Sequence, residues 1–243
     1  MRALRILLIF VVILGGLFVI ADRVAVNFAE DEVADKVRST ENLASTPDVS
    51  INGFPFLTQV AGGELDDVEV GIDGYEASTG NGDEKIRIAD LRADMKGVEF
   101  SGDYSSATAA TATATVAYDE LMKAAKSEPT DIAPGITAKV IGLSDGGNGK
   151  IKVSLQATVL GVELPKPVEV LSSVKVKDDD VEVVADGLPE IGGKQLAESR
   201  IRAITDFQQT IDELPGGIRL DKVEAAKDGV EITVKGSDVK LAG

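Results

Sequence analysis

Ser105-Ser106-Ala107-Thr108-Ala109-Ala110-Thr111-Ala112-Thr113-Ala114-Thr115-Val116 is the stretch on which the fold turns. Alanine alone would favour a helix, but the β-branched Thr108, Thr111, Thr113 and Thr115 are stiff against a helical turn and suit a pleated strand. As a strand, the run sets Thr108, Ala110, Ala112, Ala114 and Val116 on one face and Ala109, Thr111, Thr113 and Thr115 on the other. Side chains this small leave room for something to approach closely. Either a helix packs on that face, or Ala110 and Ala112 line volume for an acyl chain.

Strand patterning extends from this run in both directions. Upstream, Val49 and Ile51, then Val68, Val70 and Ile72, then Ile86 and Ile88 alternate with polar or small neighbours. The phase then slips to Leu91, Ala93 and Met95, which predicts a bulge near Ala89 and Asp90. Gly80-Asn81-Gly82-Asp83 marks a turn before the slip. Downstream, Tyr118 to Ser127 reads as a short helix stopped by Pro129. Ile136 to Leu143 and Ile151 to Val159 flank Asp145-Gly146-Gly147-Asn148-Gly149, a hairpin signal. Val168 and Val170, Val174 and Val176, and Val181 and Val183 continue a meander, and strands close the chain around Ile218–Leu220, Val230–Val234 and Val239–Leu241.

Two segments carry helical spacing instead. Val26, Ala29, Val33 and Val37 recur at three- and four-residue steps. Ala197, Ile201, Ile204, Phe207, Ile211 and Leu214 form a second stripe, stopped by Pro215-Gly216-Gly217, and predict a helix that serves as a spine for the sheet. The order of elements is that of an α+β protein with a mainly antiparallel sheet.

Ile6 to Ala21 carries no charge, follows Arg2 and Arg5, and precedes Asp22. Positive charge before the apolar run places the N-terminus in the cytoplasm and the rest across the membrane. Val19-Ile20-Ala21 weakly resembles a cleavage site, so a cleaved signal segment followed by secretion is the alternative. Bulky Phe18 and Ile20, and helical pattern running on into Asp22–Arg38, favour an uncleaved anchor. Residues 1–21 are thus read as anchor or signal, and 22–243 as a single domain.

In Gly53-Phe54-Pro55-Phe56-Leu57-Thr58-Gln59, Pro55 cannot donate to a sheet ladder and disfavours helix at Phe54, so the strand through Val49 and Ile51 ends there. Phe54, Phe56 and Leu57 are expected on a stiff turn. They serve either as a plug closing one end of the core or as the lip of a lipid-accepting cavity.

Composition excludes much. The 243 residues hold no cysteine and no histidine, which removes disulfides, a lipidated cysteine, the commonest zinc ligand and any Ser-His or Cys-His nucleophile. A net charge of −16 argues against nucleic acid and against docking on anionic membranes by charge. Aromatics make up 4%, so the core must rest on aliphatic side chains. Asp178-Asp179-Asp180 lacks the alternating oxygen ligands of a calcium loop and reads as a solvated turn. No Ser lies in a nucleophile elbow, and the acidic pairs Asp66-Asp67 and Asp212-Glu213 have no spacing tied to a pocket. No enzyme, metal or cofactor is expected.

The whole chain resembles the LmeA-like phospholipid-binding family of actinobacterial cell-envelope proteins. The resemblance is carried by the apolar N-terminal segment, Val49-Ser50-Ile51-Asn52 with Gly53–Gln59, and Gly63 with Val68 and Val70. Tyr118-Asp119-Glu120-Leu121, Leu214-Pro215-Gly216-Gly217-Ile218-Arg219-Leu220, Asp228-Gly229-Val230 and Gly236-Ser237-Asp238-Val239-Lys240-Leu241 complete it. It implies an elongated fold similar to tubular lipid-binding proteins, with a curved, mainly antiparallel sheet wrapped around long amphipathic helices. It also implies a phospholipid or glycolipid partner and a role in envelope lipid or lipoglycan biosynthesis or transport. Phe54, Phe56, Leu57, Ala110, Ala112, Ile204, Phe207 and Ile211 are the candidate acyl-chain contacts. The competing expectation is a structural or scaffolding envelope domain with no ligand cavity.

Overall fold

The computed structural model describes residues 2–78, 85–101, 104–124, 128–177, 180–187, 202, 205–210 and 217–242. Helix α1 (Arg2–Thr40) leads without interruption through the apolar segment into the amphipathic one, a rod about 58 Å long. Strand β1 (Asp48–Asn52) and the short helix α2 (Phe56–Gly62) follow, then the long strands β2 (Glu64–Ser78), β3 (Lys85–Ser101) and β4 (Tyr104–Ala117). Helix α3 (Tyr118–Ala124) precedes β5 (Thr130–Ala133), β6 (Ile136–Gly147), β7 (Lys150–Val159), β8 (Val162–Glu163), β9 (Val168–Lys177) and β10 (Asp180–Ala185). The chain closes on β11 (Phe207–Thr210), β12 (Ile218–Ala225) and β13 (Gly229–Ala242). More than half of the described residues are strand in curled antiparallel sheets, which makes the fold the expected α+β class.

The strands fall into two sheets. One has the order β1-β2-β3-β4-β13-β12, so the chain's end inserts beside its middle; the other runs β11-β10-β9-β7-β6-β5, with β8 on β7. Each sheet has one apolar face. In the first, Val49, Val70, Ala93, Ala112, Val234 and Leu220 form one cross-strand row. In the second, Val183, Val174, Val170, Val153 and Leu143 lie on the equivalent face. The faces meet in a shared core in which Leu220, Val223 and Val230 pack with Ile151, Val153, Leu155 and Tyr118. Tyr118 also ties α3 to the far hairpin by donating its hydroxyl to the Ala226 carbonyl at 2.8 Å.

Ser105–Val116 lies in the central strand β4, and the expected phase slip is a register shift between Ile88 and Asp90. The Asp145–Gly149 hairpin turns with positive φ at Gly147, Asn148 and Gly149. Val230–Val234 and Val239–Leu241 are parts of one strand rather than two.

Three expectations need correction. Helical spacing over 197–214 fails at Phe207–Thr210, which is strand β11 paired to β10 through Val183 and Phe207. A helical turn ends at Asp206, whose N–H bonds the Arg202 carbonyl while its carboxylate takes the Ala185 N–H at 3.0 Å. The open edge of β10 then captures an aromatic residue, two glutamines and a threonine, and pairing there overrides the helical period. Phe56 and Leu57 belong to helix α2 rather than to a turn. Thr108 does not share the apolar face: it is exposed and its hydroxyl donates to the Gly97 carbonyl at 3.1 Å, while Ala107 is buried. Ile204, Ile211, Gly80–Asp83 and Asp178-Asp179 lie outside the described residues.

Candidate functional site

The apolar face of the first sheet is lined most thinly along β3 and β4. Met95 faces Ala110, Ala93 faces Ala112, and Leu91 faces Ala114 in successive rows. All six residues are half-buried. A fully packed core would bring larger side chains here or close over small ones. At one end of this lane Gly97 and Asp238 take positive φ on the two strands flanking Thr108. A Cβ on Gly97 would come within 2.5 Å of the Thr108 hydroxyl, so glycine is required there. Past this line the buried position on β4 changes from even to odd, and Ala107 joins Val68 and Val98 in a separate cluster. From Ala107 to Val116 the strand covers about 30 Å.

That same end carries the Gly53–Gln59 motif, and α1 holds it. The Asp22 side chain is 0% exposed and accepts the Leu57 N–H at 2.9 Å and an Arg23 guanidinium N–H at 2.7 Å. Helix α2 has Pro55 at its N-cap and no capping side chain of its own. Asp22, 35 residues earlier, therefore supplies the cap. Burial pushes the Asp22 pKa up, but the Leu57 N–H, Arg23 and the Phe56 N–H together hold it below the ordinary carboxylate value. Two turns on, Glu30 accepts the Ile51 N–H at 2.8 Å. Strand β1 is the sheet edge, and this bond satisfies a donor that no strand pairs. Helix α1 thus runs antiparallel along β1, with Asp22 at the end where the motif lies.

The structure separates the two aromatics of the motif. Phe56 is 6% exposed and packs with Val26, Ala34, Val49 and Ile51, as a plug would. Phe54 is 57% exposed, with the Arg23 guanidinium 5.5 Å from its ring centre. Leu57 is also on the surface. Of the remaining candidates, Ala110 and Ala112 sit in the lane on β4, whereas Phe207 lies in β11 of the other sheet. Among the described candidates, the structure sets Ala110 and Ala112 in one lane and gives Phe54 and Phe56 opposite exposures.

In the sequence Asp22 only marks the end of the apolar run and Glu30 a polar position on the helix that follows; neither stands out as a holder of the motif. Val26 lies between them at four-residue steps, so one helical stripe holds two acids and a valine. That mixed stripe was the available signal, and a search for apolar residues alone passes over it.

The opposite face of the first sheet is charged. Asp67, Glu69 and Asp94 bring carboxylate oxygens within 4.8 Å of one another. The Lys96 ammonium bonds Asp67 at 2.7 Å and Asp94 at 3.4 Å, so the cluster carries its own counterion. Hydrogen bonding to Asp67 is the largest influence on Lys96 and raises its pKa, which keeps that counterion charged.

An apolar sheet face lined with alanines, with a charged face behind it, fits a protein that binds long apolar ligands. The chain belongs to the LmeA-like phospholipid-binding family, whose model matches residues 20–235. The match takes in Asp22, Glu30, the motif and the lane. No curated protein and no solved structure matches the chain.

Proposed function

We propose that this protein is a membrane-anchored, extracytoplasmic phospholipid-binding protein. In this reading residues 6–21 cross the membrane, residues 22–243 act as one unit, and acyl chains lie against the apolar face of the first sheet. The half-buried alanine lane of β3 and β4 carries the proposal. Each methylene moved from water onto such a surface gains about 0.8 kcal/mol, so long tails need little polar recognition. That matches a face without charged groups among the described residues. Family membership supports a lipid partner, and Arg2 and Arg5 ahead of the apolar run support export of the remainder. The protein's part in the envelope is to hold phospholipid or glycolipid for lipid or lipoglycan synthesis or transport, as a binder rather than an enzyme.

Mass spectrometry of organic extracts from the purified full chain tests this. Stoichiometric phospholipid or glycolipid is the expected result. A chain that is folded, lipid-free and unable to take up fluorescent phospholipid would instead be a scaffolding domain. The closed core between the sheets, centred on Leu155 and Val223, is the feature that favours that second reading.

A further inference from the structure

Exposed apolar side chains gather where α1 leaves its uncharged run. Phe54, Leu57 and Val60 project from the motif and α2, and Phe100 from the end of β3, while Val24 and Phe28 are exposed on the face of α1 turned away from the buried Val26. Phe100 belongs to the same end because its N–H bonds the carbonyl of Gly63, the residue that caps the C-terminus of α2. No charged residue occurs from Gly53 to Gly63, although 27% of the chain is charged. A patch of this kind needs a cover, and α1 indicates which one.

The run Ile6–Ala21 rises about 24 Å as a helix, against a hydrocarbon core about 30 Å thick. A span that short draws whatever is fixed to its outer end down to the bilayer boundary. The motif is fixed there, since the Leu57 N–H is bonded to Asp22, the first residue after the run. Asp22 can lie at that depth because backbone N–H groups and Arg23 satisfy its carboxylate. Arg23 can reach outward to the headgroups over the Phe54 ring. With a net charge of −16 the protein gains nothing from anionic headgroups, so apolar contact must hold this face down.

We infer that Phe54, Leu57 and Val60, with Phe100 at the same end, are seated in the bilayer leaflet from which α1 emerges. This rests on the reading of residues 6–21 as a membrane span. It sets the Ala107 end of the alanine lane at the membrane, so a lipid tail passes from leaflet to sheet without crossing water.

The chain has no cysteine, so single-cysteine variants of the full protein can carry an environment-sensitive fluorophore without background. Labels at Leu57→Cys and Val60→Cys report on the patch, and one at Val12→Cys reports on the span. A label at Lys222→Cys reports on β12, across the sheet from β1 by about 24 Å. The proteins are reconstituted into phosphatidylcholine vesicles containing nitroxide-labelled lipid. Quenching at 12, 57 and 60 with little at 222 is the expected result. If 12 is quenched while 57 and 60 behave like 222, the seating is wrong and the span stands. If 12 is not quenched, the span and the seating fail together. Equal quenching at all four positions also overturns the inference.

Discussion

The two sheets share one pattern, apolar and polar residues in alternation, and fill it with different volumes. At the centre of the second sheet β7 presents Ile151, Val153, Leu155 and Ala157, all buried. At the centre of the first sheet β4 presents Ala110, Ala112 and Ala114, all half-buried. Alternation decides which face turns inward, and side-chain size decides whether that face closes. The first sheet keeps the ladder of a buried strand but sets smaller, half-buried side chains on it.

The largest effect is expected in the closed sheet. Leu155 is fully buried, and Leu155→Ala should cost about 2–5 kcal/mol, read as a lower denaturant midpoint. A loss below about 1 kcal/mol would mean the second sheet is as open as the first. In the lane, Ala112→Phe should behave in the opposite manner. Overpacking a closed core costs about 1–3 kcal/mol, whereas an open lane accepts the ring with little change in melting. Phospholipid retained after purification should drop at least tenfold, and a loss of stability of about 1–3 kcal/mol would instead assign Ala112 to a packed core.

A smaller effect belongs to Ser172. It is 0% exposed on β9, and its hydroxyl has no hydrogen-bond partner among the described residues. Ser172→Ala removes an unserved polar group, so stability should rise by up to about 1 kcal/mol. A fall would show that the hydroxyl is engaged in the folded protein. The most local effect is at Asp22. Its pKa is lowered in the fold, so the stability it lends is present above the ordinary carboxylate value, near 3.9, and is lost as pH falls through its lowered value. Hydrogen exchange at Leu57 and Phe56, corrected for intrinsic rates, should accelerate under that acidification, and Asp22→Asn should remove the acid dependence. An unchanged acid response in the variant would remove Asp22 as the cap.

Much of the architecture was legible because it is written in local periodicity. The β4 run, the slip at Ile88 and Asp90, and the Gly147–Gly149 turn each occupy a few adjacent residues. The features that were not legible depend on distant partners. Helix α2 is seven residues long and takes its cap from α1, so nothing around Phe56 announces it. Phe207 has helical spacing in its own segment and becomes a strand only because the β10 edge is there. Division into two sheets is equally hidden, since both use the same two-residue period. In the candidate site, Ala110 and Ala112 could be placed on one face, but the opposite fates of Phe54 and Phe56 follow from where α1 runs.

The unbroken α1 has a consequence for reach. A domain on a flexible tether explores a radius that grows as about 5–6 Å times the square root of the linker length. Here no linker separates the apolar run from the part of α1 held by Leu57 and Ile51. With residues 6–21 in the bilayer, as proposed, the remainder would have a fixed height and heading and could not swing out to a distant membrane. Such a protein works as a stationary post. In the proposed reading, lipid would arrive by lateral diffusion in the leaflet, and whatever receives it would have to come to the post.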